Sequence, residues 1–238
     1  MDKYKQKKYI FDSLPPFIEK NMSCFMLWDK MDLSLPRNPI IRNMKEKFIE
    51  LLRSTGRQGI DEVISYLEKA GFFTAPASSV HHLNSEGGLL KHSMNVYNMA
   101  MAMRGPIVAM RPDMESRLPV KSIVIAALLH DVCKTNVYKK SKRWSLGANG
   151  RWGMADRYAV DYSQMPVGHG EKSVIMLLSL GLKLSVDEII AIRWHMGPWD
   201  LSFQSREALG NLNSASTQCP LLSLIHAADG MAAHILEA

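Results

Sequence analysis

Cysteine is scarce in this chain, and its three copies, Cys24, Cys133 and Cys219, lie far apart. They make no CxxC pair and no even-numbered disulfide framework, which points to a reducing, intracellular setting. Long apolar runs are missing as well. The longest, Ile123 to Leu129, falls far short of the roughly 20 residues that a membrane-crossing helix needs. The start, Met1-Asp2-Lys3-Tyr4-Lys5, leads into no apolar signal region. Internal repeats and low-complexity tracts are absent, and strand-like patterning is confined to one segment. These absences predict a soluble cytoplasmic protein without membrane attachment. The 238 residues, 47% of them hydrophobic and 22% charged, suffice for one ordinary domain with its own core and a small appendage, and argue against disorder.

Acidic residues are what the segment 134–158 lacks. It carries Lys134, Lys139, Lys140, Lys142, Arg143, Arg151 and Arg157 against Asp156 alone, and so holds the whole +6 net charge of the chain. The same segment supplies the strand signal. Val137-Tyr138, Arg143-Trp144, Arg151-Trp152 and Tyr158-Ala159-Val160 flank Asn149-Gly150, the dipeptide preferred in two-residue hairpin turns. Basic side chains interleaved with Tyr138, Trp144, Trp152 and Tyr158 suit a single-stranded nucleic acid or a nucleotide. They equally suit a solvated hairpin whose aromatics cover the core.

Elsewhere the apolar spacing is helical. Residues 1–38 read as a loop and a helix whose methionines and aromatics fill core. Helices follow from Ile40 to about Ser54 and from about Gly59 to Lys69, forming a hairpin ahead of the main domain. The next runs from the glycine pair Gly87-Gly88 to about Arg104, where Gly105-Pro106 is expected to break it. Pro119 starts a helix that is apolar all round and so predicted to be buried. Further helices are expected after Gly168, from Val186 to Trp194 behind a Ser185–Glu188 capping box, and from Leu221 to about Leu236. The stretch from Asp200 to Gln218 reads as loose.

The buried helix ends on His130-Asp131, followed by Lys134. Imidazole and carboxylate side by side suit a transition-metal ion; a helix end reaching solvent is the plainer reading, with Lys134 answering the helix dipole. Further ligand-type residues tip the balance: His92, His169, His195 and Asp229 each sit on or at the end of another predicted helix. Asp229 lies in an apolar helix centre, where an ionised carboxylate is costly unless paired or metal-bound.

The order His92, His130-Asp131, His169, His195, Asp229 resembles the HD-domain superfamily of metal-dependent phosphohydrolases, over residues 76–238. Gly87-Gly88-Leu89-Leu90-Lys91-His92, Leu128-Leu129-His130-Asp131-Val132-Cys133-Lys134 and the preceding His81-His82 are similar to the branch that includes HD-type 3′–5′ exoribonucleases. Residues 1–75 read helical where those enzymes carry a nucleic-acid-binding barrel.

The resemblance implies an all-α helical bundle with a small β-hairpin insertion over 76–238, and a helical extension over 1–75. It implies one ion on His92, His130, Asp131 and Asp229, and a second on His169 and His195, with Asp131 shared. Two divalent transition-metal ions, manganese, iron, nickel, cobalt or zinc, fit such nitrogen and oxygen donors. By the same resemblance Asp131 and Lys134 are catalytic, with metal-activated water attacking a phosphomonoester or phosphodiester and Lys134 facing the phosphate. His81 and His82 read either as exposed loop residues or as donors to substrate, and Lys139 and Arg143 as further substrate contacts. His226, one turn before Asp229, either orients a ligand or packs. A phosphate-containing small molecule or a single-stranded nucleic acid is the expected partner. Two other readings stand: a mixed-valent di-iron oxygenase with the same ligand set, and a nucleotide sensor without turnover.

Overall fold

The computed structural model describes residues 39–79, 83–146, 150–161, 163, 165, 167–200 and 205–237. Residues 1–38, His81, His82 and Asn149, on which expectations were placed above, lie outside them. The described residues fall within one compact unit, residues 37–238. It is predominantly α-helical with a small β-hairpin.

In chain order the helices are α1 (Pro39–Ser54), α2 (Ile60–Ala70), α3 (Gly88–Met110), the single turn α4 (Met114–Arg117) and α5 (Val120–Leu129). The hairpin strands β1 (Tyr138–Leu146) and β2 (Trp152–Val160) follow, then α6 (His169–Ser179), α7 (Val186–Trp194), α8 (Arg206–Gln218) and α9 (Pro220–Met231). Helix α5 is the hub, and every residue from Ser122 to Leu129 is buried. Its all-round apolar surface is explained by its neighbours: α3, α1, α7 and α9 all pack on it. One hydrophobic core runs through Phe48 and Leu52 of α1, Val63 and Leu67 of α2, Leu89 and Leu90 of α3, and Leu221 and Ile225 of α9.

The turn between α1 and α2 is locked against the loop after α6. A Cβ at Gly59, whose φ is +86°, would lie 2.2 Å from the Gly181 carbonyl oxygen, and the Lys183 amide donates to Gln58 at 3.0 Å. Beside it, Arg57 donates to buried Glu188 at 2.5 Å. The Ser122 hydroxyl donates to the same carboxylate at 2.7 Å. The expected capping box is present, with the Ser185 amide donating to Glu188 Oε2 and the Glu188 amide to Ser185 Oγ. Glu188 thus ties α7 to α5 and to the α1–α2 turn.

Two local expectations are corrected. Gly105-Pro106 does not end α3, which continues to Met110. Both residues are exposed, so the carbonyl that Pro106 leaves without a backbone donor can be hydrated. The helix beyond is steadied by Arg104, which donates to the Leu118 carbonyl at 2.7 Å and to Glu115 at 3.1 Å. The stretch 206–218 is not loose but helical, capped by Ser205, whose Oγ accepts from the Ala208 amide at 3.1 Å. Only Leu212 and Ala215 of α8 are buried, too few to give a readable period. The hairpin forms as expected, with Tyr138 opposite Val160 and Leu146 opposite Trp152. Among the described residues no single helix is long and apolar enough to cross a membrane.

Because Glu188 is wholly buried while Arg57 supplies its counter-charge, Arg57→Ala leaves an uncompensated carboxylate. The expected cost is about 3 kcal/mol, read from the urea midpoint of unfolding. A midpoint unchanged from the unmutated protein would contradict this account.

Candidate metal centre

Five helices deliver the six residues singled out in the sequence to one place. His92 stands in the second turn of α3, His130 and Asp131 follow α5, His169 opens α6, His195 follows α7, and Asp229 lies near the end of α9. The imidazoles form a chain, with ring centroids 5.3 Å apart for His92–His130, 4.8 Å for His130–His195 and 5.3 Å for His169–His195. The last approach depends on Gly170. A Cβ there would lie 2.1 Å from the Arg193 carbonyl oxygen, so only glycine lets the start of α6 rest on the end of α7.

Asp131 sits between two groups of nitrogens. Its Oδ2 lies 3.6 Å from His92 Nε2, 3.3 Å from His130 Nε2 and 2.7 Å from Lys134 Nζ. Its Oδ1 lies 2.6 Å from His169 Nε2 and 3.6 Å from His195 Nε2. Asp229 completes the first group, with Oδ1 3.1 Å from His92 Nε2. Potential ligand atoms therefore fall into overlapping triplets: His92, His130 and Asp229; His130, Asp131 and His195; Asp131, Cys133 and His169. Cys133, not among the six residues singled out in the sequence, has Sγ 3.5 Å from His169 Nδ1.

The outer nitrogens of three histidines are held. His130 Nδ1 donates to the Ala127 carbonyl at 2.9 Å and His195 Nδ1 to the Ile192 carbonyl at 2.7 Å. His92 Nδ1 donates to Glu237 at 3.0 Å. Fixing the proton on Nδ1 turns Nε2 inward as a lone-pair donor, the usual support for a metal-ligating histidine. Among the described residues the buried His195 Nε2 has no hydrogen-bond partner. An inward-facing imidazole nitrogen of this kind, 3.6 Å from the Asp131 carboxylate, fits a cation.

Glu237 was not foreseen. Its side chain is fully buried, and it also accepts from Asn95 Nδ2 at 2.9 Å. A π-helical turn over Ala232–Leu236 widens the backbone beyond α9, with the Glu237 amide donating to the Ala232 carbonyl at 3.1 Å. That turn brings Glu237 beneath His92. No residue spacing announced it. His226 donates from Nδ1 to the His195 carbonyl at 2.5 Å, so it braces the backbone at His195 rather than Asp229.

Electrostatics follow from burying carboxylates together. Burial alone would raise the pKa of Asp131, but Lys134, His130 and His169 hold it well below the usual range. Burial would likewise raise Asp229, and the hydrogen bond from His92 and the nearby imidazoles keep it low. Lys134 is raised, since Asp131 outweighs the burial that would lower it. For His92 burial is overcome by Asp229, Glu237 and Asp131, pushing it up to about 9. For His169 burial is overcome by Cys133 and Asp131, pushing it up to about 10. Burial and the neighbouring imidazoles His130 and His169 lower His195, against the pull of Asp131. Protons on His92 and His169 thus supply positive charge that bound cations would replace.

Lys139 and Arg143 are placed on β1 and are not among the residues gathered at the cluster. Lys139 pairs with Asp161, and Arg143 is exposed.

A pH dependence follows for protein stripped of metal. His92 and His169 titrate at about 9 and about 10 when folded, against about 6.5 when unfolded. Their contribution to stability is complete below the unfolded value and is lost as pH rises through the folded ones. The Tm of chelated protein should therefore fall between about pH 6.5 and about pH 10, and added metal should reduce or reverse that slope because ions bind the deprotonated imidazoles. Identical slopes with and without metal would rule out ion binding at these histidines. Comparison of the chain with protein-family models, with curated proteins and with solved structures gives no match, so the reading of this site as a buried His/Asp cluster able to coordinate metal rests on its own geometry.

Proposed function

We propose that the protein is a metal-dependent phosphohydrolase of the HD-domain kind that its sequence resembles, cleaving a phosphomonoester or phosphodiester of a nucleotide or short single-stranded nucleic acid. The chemistry is assigned to residues 76–238. The observation that carries the reading is the two-sided carboxylate of Asp131, with Oδ2 toward His92, His130 and Lys134 and Oδ1 toward His169 and His195.

In this reading His92, His130, Asp131 and Asp229 would hold one divalent ion, and His169 and His195, with Asp131 shared, would hold another. Such ions lower the pKa of bound water toward about 7 and polarise phosphoryl oxygens. The chain's own groups do the rest. Lys134 stays protonated beside Asp131 and offers its charge to the phosphate oxygens as negative charge develops. The backbone carbonyls of Ala127 and Ile192 and the carboxylate of Glu237 keep the imidazoles in one tautomer and one orientation. His81 and His82 are assigned to donating a proton toward the leaving oxygen. Lys139 and Arg143 add positive potential that attracts a polyanion. That potential favours a phosphate substrate over the neutral substrate of an oxygenase.

The test is a hydrolysis screen of the purified chain with manganese, using bis-p-nitrophenyl phosphate, nucleotides and single-stranded oligonucleotides. Ester cleavage is expected, with Asp131→Ala abolishing it and Lys134→Met lowering kcat about a hundredfold. Oxygen uptake with an organic substrate by a di-iron preparation would overturn the reading in favour of an oxygenase. Nucleotide binding without product would overturn it in favour of a sensor.

A further inference from the structure

Resting on the phosphohydrolase reading and narrowing its substrate, we propose that one face of the hairpin is a track for single-stranded nucleic acid leading to the His/Asp cluster. The strand register carries the argument. Residues opposite one another in an antiparallel pair share a face, and so do alternate residues along each strand. The pairs Tyr138–Val160, Lys140–Tyr158, Lys142–Asp156, Trp144–Met154 and Leu146–Trp152 therefore lie on one side. All four aromatic side chains of the strands fall on this side. The other side carries Lys139, Ser141, Arg143 and Ser145 opposite Ala159, Arg157, Ala155 and Gly153, with basic residues but no ring at all.

The outer part of the aromatic side is apolar yet open to water, with Trp144 62%, Trp152 68% and Met154 54% exposed. Such a patch calls for a partner. Lys140 and Lys142 lie on the same side, inward of the tryptophans. Rings on which bases stack, next to ammonium groups that pair with phosphates, are the chemistry that binds a single strand without reading its sequence. A duplex keeps its base faces stacked inside and cannot offer them to Trp144 or Trp152.

The inner end of this side opens on a cleft of about 310 Å³, where Tyr138, Tyr158 and Lys140 face Pro76, Glu86 and Thr135. Thr135 directly follows Lys134, whose ammonium is 2.7 Å from Asp131 and also feels the Tyr138 phenol. The aromatic face thus ends at the cleft, and the cleft wall at Thr135 is one residue along the chain from Lys134. A membrane or a protein would also cover an apolar patch. The lysines on this face and the short chain path from it to a site suited to phosphate favour a polyanion.

The test is fluorescence anisotropy with the full chain and an end-labelled phosphorothioate oligothymidylate, which resists cleavage, against the same probe in duplex. The single strand is expected to bind tighter than the duplex. Trp144→Ala combined with Trp152→Ala should weaken single-strand binding roughly tenfold or more. Lys142→Ala should weaken it several times more than Arg143→Ala, although each removes one positive charge from neighbouring, exposed positions. Equal losses from Lys142→Ala and Arg143→Ala, with none from the tryptophan pair, would overturn the track and leave charge alone. So would tryptophan-dependent binding to phosphatidylglycerol vesicles with oligonucleotide binding intact. Binding of this probe does not depend on turnover. Face-specific binding without ester hydrolysis would remove the phosphohydrolase reading and keep the track, and hydrolysis of bis-p-nitrophenyl phosphate without face-specific binding would do the reverse.

Discussion

Three carboxylates, those of Asp131, Asp229 and Glu237, are gathered around His92 in the interior of a helical bundle. Buried negative charge must be answered, because an unpaired carboxylate is costly in a low-dielectric interior. Lys134 answers part of it. Imidazoles answer the remainder, and two of them are driven far above their ordinary pKa to do so. A core designed for stability alone has no use for this arrangement, since well-packed apolar residues of similar volume are as stabilising or more so. The cluster is thus best understood as a place where cations belong, with the helices arranged to hold it.

That constraint explains the fold's layout. Helix α5 is apolar on all sides so that it can run through the centre and end with His130 and Asp131 at the cluster. The surrounding helices α3, α7 and α9 each contribute a ligand-type residue while packing their apolar residues on α5. Glycine at position 170 lets the last histidine come close. The ties through Glu188 hold α7, and hence His195, in place relative to α5. Packing and site geometry are in this sense one problem.

Much of this was legible in the sequence, for a physical reason. His92, His130, Asp131 and Asp229 are polar residues within or at the end of apolar helical runs, and periodicity marks such residues as out of place unless something binds them. The hairpin was legible from its aromatic and β-branched residues, whereas Asn149 of the expected turn dipeptide lies outside the described residues. What stayed hidden depends on long-range or non-repeating geometry. Glu237 reaches His92 only through a π turn. The helix runs on through Pro106 at an exposed position, where a carbonyl without a backbone donor can be hydrated. Helix α8 buries too little to show a period. Cys133 nears His169 only once α6 docks. The described residues leave His81 and His82 aside, so the histidine pair before α3 is known from sequence alone.

The route from cluster to hairpin is short and covalent. From Asp131 the chain makes a 3₁₀ turn over Val132–Asn136 and enters β1 at Tyr138. The Lys134 amide donates to the Asp131 carbonyl at 2.9 Å and the Asp161 amide to the Val137 carbonyl at 2.8 Å, so both ends of the hairpin are anchored within a few residues of the site. Nearly all the excess positive charge of the chain lies on this one insertion. A hairpin that served only to cover core would turn its aromatics inward and its charges outward. Here the tryptophans face water on the same side as two lysines, and the tyrosines stand where that side meets the cleft. Packing against the core alone does not account for that distribution.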